Sequence, residues 1–423
     1  MSDRQNMTKY TYAVATMDTK RDELLFVVDL MRESGLAVRV VDVSTAVSSD
    51  TSVSKDADFR PFDILGDDLN DVHGLDRGSA VVRMTEGFSE FISRQYQSGQ
   101  MSGIIGLGGS GGTAIVTAGM RRLPIGLPKV MLSTVASGNT APYVDCNDIC
   151  MMYSVVDVAG LNAVSRVVLA NAANAVAGMV LHRPAHQMER KPTIGMTMFG
   201  VTTACVTRVR NALQERGFDC LVFHATGAGG RAMEKLVQSG LIDGVLDITT
   251  TEVADEIVGG VFPAGPTRFD AILESRIPYV ISLGALDMVN FGARDTVPAE
   301  FRDRRLYVHN SQVTLMRTNI VENRRIAQWI ANKLNSATSP FVVLIPERGV
   351  SALDIDGGPF ADAEADQSLF DELEASIEPA DGRRISRFPL HINDDGFADA
   401  LVQAFMEVYE HRRTNGATMS LAE

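Results

Sequence analysis

The chain has 423 residues, 45% hydrophobic and 22% charged, with a formal net charge of −14. That length and apolar content suit two domains of about 200 residues, each with a sizeable core. The acidic balance argues against a phosphate-neutralising nucleic-acid surface and against docking on anionic lipid.

The opening run TYAVATMDTK reads as a strand entering a turn, RDELLFVVDLMRESG as a helix and AVRVVDV as a second strand. Lys20 falls in the first helical turn, where the helix dipole disfavours a cation unless an anion lies against it. Thr19 and Asp22 have the spacing of a capping box. Residues 44–77, rich in Asp and Ser, lack periodicity and predict an extended loop. The most informative stretch follows, MSGIIGLGGSGGTAIVTAGM over residues 101–120. An apolar strand runs straight into Gly108, Gly109, Ser110, Gly111 and Gly112, and a helical pattern begins at Thr113. Such a loop exposes amides at a helix start without a Cβ in the way, which predicts a phosphate or carboxylate site. Gly106, Gly108 and Gly111 formally match GxGxxG, but they follow a late strand, and the next strand, KVMLST, ends in hydroxyls rather than a ribose-binding acid. An anion nest describes the loop better. Ser133, Thr134, Ser137 and Gly138 come next, small polar groups suited to phosphate oxygens or a sugar. Asp145 and Asp148 beyond them could face a metal. The apolar run at residues 164–181 carries Arg166, Asn171 and Asn174 and predicts a buried helix.

After HRPAHQMERKP the opening order returns: IGMTMFG is a strand, VTTACVTRVRNALQERG a helix and CLVFHATG a strand. Gly35 and Gly217 stand where a helix C-cap belongs in each copy. A second glycine loop, Thr226, Gly227, Gly229 and Gly230 with Arg231 as a forked cation, repeats the phosphate-site logic. Gly227, Gly229 and Ala232, with Asp247 further on, also partly meet the dinucleotide pattern. Glu252, ending GVLDITTTE, could cap a helix or meet a ribose or metal, and His224 is an acid–base candidate. IPYVISLG and PFVVLIPERG are later strands, and residues 354–381 predict a loop with a short helix around Leu369 to Leu373. The expected architecture is α/β, two Rossmann-like doubly wound parallel-sheet domains, residues 1–186 and 187–423.

Four cysteines without CxxC spacing argue against a zinc ribbon or redox dithiol. The N-terminus has no apolar h-region, and the expectation is a cytoplasmic protein without a membrane or nucleic-acid partner. No serine elbow or HExxH motif occurs.

The blocks TMDTK, IGLGGSGGT, STVASGNT, MMYSVVDVAGLN, TMFGVTT, HATGAGGRAME, DITTTE, GALDMVNFG, LMRT and RGVSALD together resemble one family. It is the bacterial, fungal and plant family typified by the N-terminal nucleotide-binding domain of the tomato mosaic virus resistance protein. The resemblance implies two Rossmann-like domains, ATP binding with magnesium (Mg2+) and a homodimer. In larger relatives the region is joined to a TIM-barrel domain, so a separately encoded TIM-barrel protein is an expected partner. The implied ligand contacts are Lys20, Gly108 to Thr113, Ser133, Thr134, Ser137, Gly138 and Thr226 to Arg231. Where the family shows an acid after ASG, this chain has Asn139. The expected function is binding of ATP or another phosphorylated metabolite at or near an interdomain cleft. The alternatives are an enzyme that uses ATP-Mg to activate a small acid or sugar, and a dinucleotide-dependent enzyme.

Overall fold

Parallel strands joined by amphipathic helices build both halves of the chain. The computed structural model describes residues 8–45, 53–72, 74–183 and 190–419. It divides into two units, residues 1–187 and 188–423.

The first unit runs β1 (Tyr10–Ala15), α1 (Met17–Glu33), β2 (Val38–Asp42), α2 (Pro61–Leu65), α3 (Leu69–Val72), α4 (Arg77–Gln97) and β3 (Met101–Gly108). It continues with α5 (Ser110–Arg122), β4 (Lys129–Ser133), α6 (Ala141–Val144), β5 (Cys150–Tyr153) and α7 (Ala163–Leu181). Its sheet order is β2-β1-β3-β4-β5, and every pairing is parallel. One face carries Val14, Ile104, Met131, Phe88 and Val116; the other carries Ala13, Ile105, Leu132, Val28 and Val176. Alternating side chains thus feed two cores, and the strands read as near-continuous apolar runs. Residues 44–77 hold short helices where a loop is expected, with 46–52 and 73 outside the described residues. By length and composition α7 could cross a membrane. One of its faces instead packs Leu169, Ala172 and Val176 into the core. The other leaves Val164, Val167, Met179 and Leu181 exposed, so the helix is half rather than wholly buried.

The second unit runs β6 (Thr193–Met198), α8 (Thr203–Glu215), β7 (Asp219–His224), α9 (Ala228–Gln238), β8 (Gly244–Thr249), α10 (Thr251–Val258), α11 (Asp270–Ser275) and β9 (Tyr279–Gly284). Next come β10 (Met288–Phe291), β11 (Leu306–Asn310), β12 (Val313–Arg317), α12 (Ile320–Asn335), β13 (Phe341–Pro346), α13 (Ala363–Ser376), β14 (Arg383–Phe388) and α14 (Asp395–Met419). The main sheet, β14-β13-β9-β8-β6-β7, is again all parallel. An antiparallel sheet, β10-β12-β11, is added to it in sequence between β9 and β13. The acidic run at residues 354–381 yields a longer helix than expected, because Leu369, Phe370 and Leu373 bury one face of α13.

Both copies of the strand–helix–strand repeat stop their first helix in the same way. Gly35 and Gly217 have φ of +90° and +89°. Leu36 and Phe218 donate back to Met31 and Leu213, and the two glycine amides donate to Arg32 and Gln214. This double bond pattern needs a left-handed residue, which glycine supplies without Cβ strain.

Candidate functional site

In each parallel sheet the crevice for a ligand lies beyond the carboxyl ends of the strands, where strand order reverses. In the first unit that point is between β1 and β3. Val14 pairs with Gly106 and Gly108 with Ser133, so the Lys20 turn, the glycine loop and the Ser133–Thr134 turn leave one edge of the sheet together. Helix α1 begins earlier than the Thr19–Asp22 spacing suggests, with Thr16 as its N-cap. The reason lies in β2: Asp42 accepts the Met17 amide at 3.1 Å, and the Ser44 hydroxyl accepts the Asp18 amide at 3.0 Å. The protein's own groups therefore occupy the start of α1. Lys20 sits in the first turn at φ −129°, ψ 22°, off the helical conformation. Among the described residues it makes no ion pair.

The start of α5 is the opposite case. Its N-cap is Gly109, which has no side chain to offer, and Thr113 makes the first intrahelical bond, to the Gly109 carbonyl. The amides of Ser110, Gly111 and Gly112 find no acceptor among the described residues, as the geometry of a helix start dictates unless something caps it. Packing explains only one of the glycines. A Cβ on Gly108 would stand 2.9 Å from the Gly112 and Thr113 backbone. On Gly109 its nearest neighbour would be Thr134 Oγ1 at 3.8 Å, on Gly111 Val81 at 3.6 Å and on Gly112 the Leu107 carbonyl at 3.6 Å, all ordinary contacts. None of the three has a positive φ. Neither backbone conformation nor neighbours demand glycine at 109, 111 or 112.

Beneath the loop, Thr113 and Ser133 are wholly buried and share a 2.6 Å hydrogen bond that ties α5 to β4. They hold the loop in place from below. Thr134 is half-buried, and Ser137 and Gly138 are exposed on the same turn. Asn139 caps the following turn, accepting the Ala141 amide at 3.1 Å. Asp148 does not face a metal: it pairs with the buried Lys129 at 2.6 Å and accepts the Gly126 amide. Among the described residues no three His, Cys, Asp or Glu side chains form a group that could hold a metal.

The second glycine loop resembles the first in sequence and differs in its surroundings. A Cβ on Gly227 would strike the Pro263 carbonyl, on Gly229 the His224 carbonyl and on Gly230 the Glu252 carboxylate. Gly227 also has φ +73°. All three glycines are therefore required by close packing. The Gly227 amide, the donor expected to meet a phosphate, donates 2.7 Å to Glu252 Oε2. The protein's own carboxylate takes the anion's place at this amide, which corrects the reading of Gly227 as a phosphate contact. Thr226 is half-buried, its hydroxyl turned to the His224 carbonyl, and Arg231 is exposed.

Sequence reasoning missed what holds Glu252. Arg268 is fully buried, with Nε 2.5 Å from Glu252, Nη1 2.9 Å from Glu234, and Nη2 2.8 and 2.7 Å from the two oxygens of Asp247. Asp247 also accepts from Thr197 at 2.6 Å and from the Tyr279 hydroxyl at 3.2 Å. It has no capacity left for a ribose, which removes the acid from the dinucleotide pattern. Burial raises the carboxyls of Glu234 and Glu252 while Arg268 pulls them down. A second buried network sits around Arg317, 2.5 Å from Asp366 and 3.7 Å from Asp354. Asp287 nearby accepts from Ser351 at 2.8 Å, and its other oxygen has no partner among the described residues.

Comparison with known proteins agrees with both units. The chain matches the Uncharacterised protein family (UPF0261) N-terminal domain over residues 9–185 and its C-terminal domain over residues 191–409. A UPF0261 protein of Mesorhizobium japonicum is 53% identical over 412 residues, covering 95% of this chain and all of that one. One from Rhizobium meliloti is 53% identical over 403 residues, covering 95% of this chain and 99% of that one. The ToMV resistance protein Tm-1 of Solanum lycopersicum is 47% identical over 429 residues, covering 96% of this chain but 57% of the tomato protein. With both of its units matched and relatives this similar along its length, the chain belongs to the UPF0261 family.

Proposed function

We propose that the first unit binds a phosphorylated ligand, ATP foremost, with its phosphates on the amides of Ser110, Gly111 and Gly112 at the start of α5. The observation that carries this reading is the set of three glycines, 109, 111 and 112, that neither fold nor packing requires, placed where amides lack an acceptor. A helix start favours an anion through its aligned dipoles and its free N–H groups. Lys20 would supply the counter-charge from the neighbouring strand end, and Thr134, Ser137 and Gly138 would line the same edge. The second glycine loop supports the reading less well, because Glu252 already takes its Gly227 amide. A homodimer and a separately encoded barrel partner belong to the same proposal through the family likeness.

Calorimetry with ATP, with and without magnesium, tests the reading, with NAD as the comparison. ATP should bind and raise the melting temperature by mass action, and NAD should do neither. Binding of NAD without binding of ATP would overturn it. Hydrolysis of ATP that depends on an added small acid or sugar would convert the binding protein into an enzyme.

A further inference from the structure

At the amino-terminal edge of the second unit's main sheet lies a cavity of about 900 Å³. Pro278, Pro340 and Gly382, which immediately precede β9, β13 and β14, mark its position, so it opens opposite the strand ends that carry the glycine loop. Its size falls within the roughly 300–1,000 Å³ of small-molecule sites. Ile277, Val342 and Val408 give it an apolar floor, while Arg276, Arg384 and Arg412 line it with cations. Such a concentration of arginines is notable in a chain of net charge −14. Arg384 is neutralised by Glu407 at 2.8 Å. Arg276 and Arg412 make no ion pair or side-chain hydrogen bond among the described residues.

Arg276 carries a second signal. It ends α11 in the left-handed conformation, φ +56° and ψ +25°. Glycine is the usual residue there, because a Cβ in that conformation is strained. The fold would be served better by glycine, yet the position holds a long cation lining a cavity. Arg276 is one of five non-glycine residues at positive φ among the described residues, and such positions cluster at ligand sites.

We propose that this cavity binds an organic anion with an apolar body, of the class of a medium-chain carboxylate, its charge held by Arg276 and Arg412 and its body on Ile277, Val342 and Val408. The site is independent of the nucleotide reading. Octanoate is the probe, titrated calorimetrically into the full chain, with 1-octanol to remove the charge and inorganic phosphate to remove the apolar body. Octanoate should bind at least about tenfold tighter than either. Arg276→Gly should weaken octanoate by roughly tenfold or more while its melting temperature holds or rises, because the change removes backbone strain. Arg412→Ala, at an exposed position of α14, should weaken octanoate similarly without touching the core. Failure of octanoate to bind, octanol binding as tightly, or wild-type affinity in both variants would overturn the proposal.

Discussion

Replacing Arg268 by methionine isolates the network that closes the second glycine loop. The change keeps much of the side-chain volume and deletes the charge that Glu234, Asp247 and Glu252 all face. Each of those carboxylates is within a tenth of full burial, so water does not screen the loss. Removing one partner of a buried ion pair costs about 3–5 kcal/mol, because the remaining charge is left uncompensated. The second unit alone should bear this cost. The chain's one tryptophan, Trp329, lies 5.8 Å from the ring of Phe269, next to the deleted side chain, so its fluorescence during urea unfolding reports on that unit. With a urea slope of about 2–3 kcal/mol/M, the midpoint at pH 7 should fall by roughly 1–2.5 M. The deficit should shrink in acid. Without Arg268 the three carboxyls can remain buried only by taking up protons, so the variant loses stability as pH rises above about 4. A fall of less than about 1 kcal/mol at pH 7, or a deficit independent of pH, would refute the idea that Arg268 neutralises this cluster.

The unmodified second unit should itself be less stable at pH 8 than at pH 5.5. Burial pushes Asp255 and Asp287 up to about 7 and Asp366 up to about 8 from 3.8, so the stability tied to their protonated forms is complete below about pH 4 and is lost as pH rises through those values. Asp287→Asn should flatten part of the slope in the Trp329 urea midpoint, and an unchanged slope would remove Asp287 from the account. Lys20→Ala should alter the melting of the ligand-free protein by no more than about 0.5 kcal/mol, since a first-turn cation gains nothing from the dipole. The same change should weaken ATP by roughly 1.5–3 kcal/mol in calorimetry and leave adenosine untouched; a destabilised protein with intact ATP affinity would instead give Lys20 an internal partner. Gly227→Ala should lower the melting temperature sharply, since its methyl meets the Pro263 carbonyl at a left-handed position, whereas Gly111→Ala should be tolerated or stabilising. Equal effects in the two loops would undo the contrast between them.

The parallel architecture was legible because its signals are local. Apolar strands, helical periodicity and the glycines at 35 and 217 each announce themselves within a few residues, and their recurrence exposes the repeat. The first glycine loop was legible for the same reason. The second was misleading, since GLGGSGG and HATGAGG look alike as strings. What separates them is Glu252, 25 residues from Gly227, folded into the loop. Arg268 escaped notice because its partners lie 34, 21 and 16 residues away in sequence. Nothing in the run GPTRFD distinguishes a buried arginine from one in a solvated turn. The β10-β12-β11 sheet was missed as well. Its strands are four or five residues long, and β11 is almost wholly exposed, so it lacks the apolar run that marks a central strand.

ATP affinity in Gly109→Val and Gly111→Val decides whether the start of α5 is an anion site. An added Cβ meets only the Thr134 side chain at position 109 and the Val81 side chain at 111, both at ordinary contact distance, so valine should fold there while crowding an anion's approach to the helix start. Each variant should unfold cooperatively near the wild-type temperature and show no heat of ATP binding in calorimetry. Wild-type ATP affinity in both folded variants would contradict the account and leave the loop as a strand-to-helix turn.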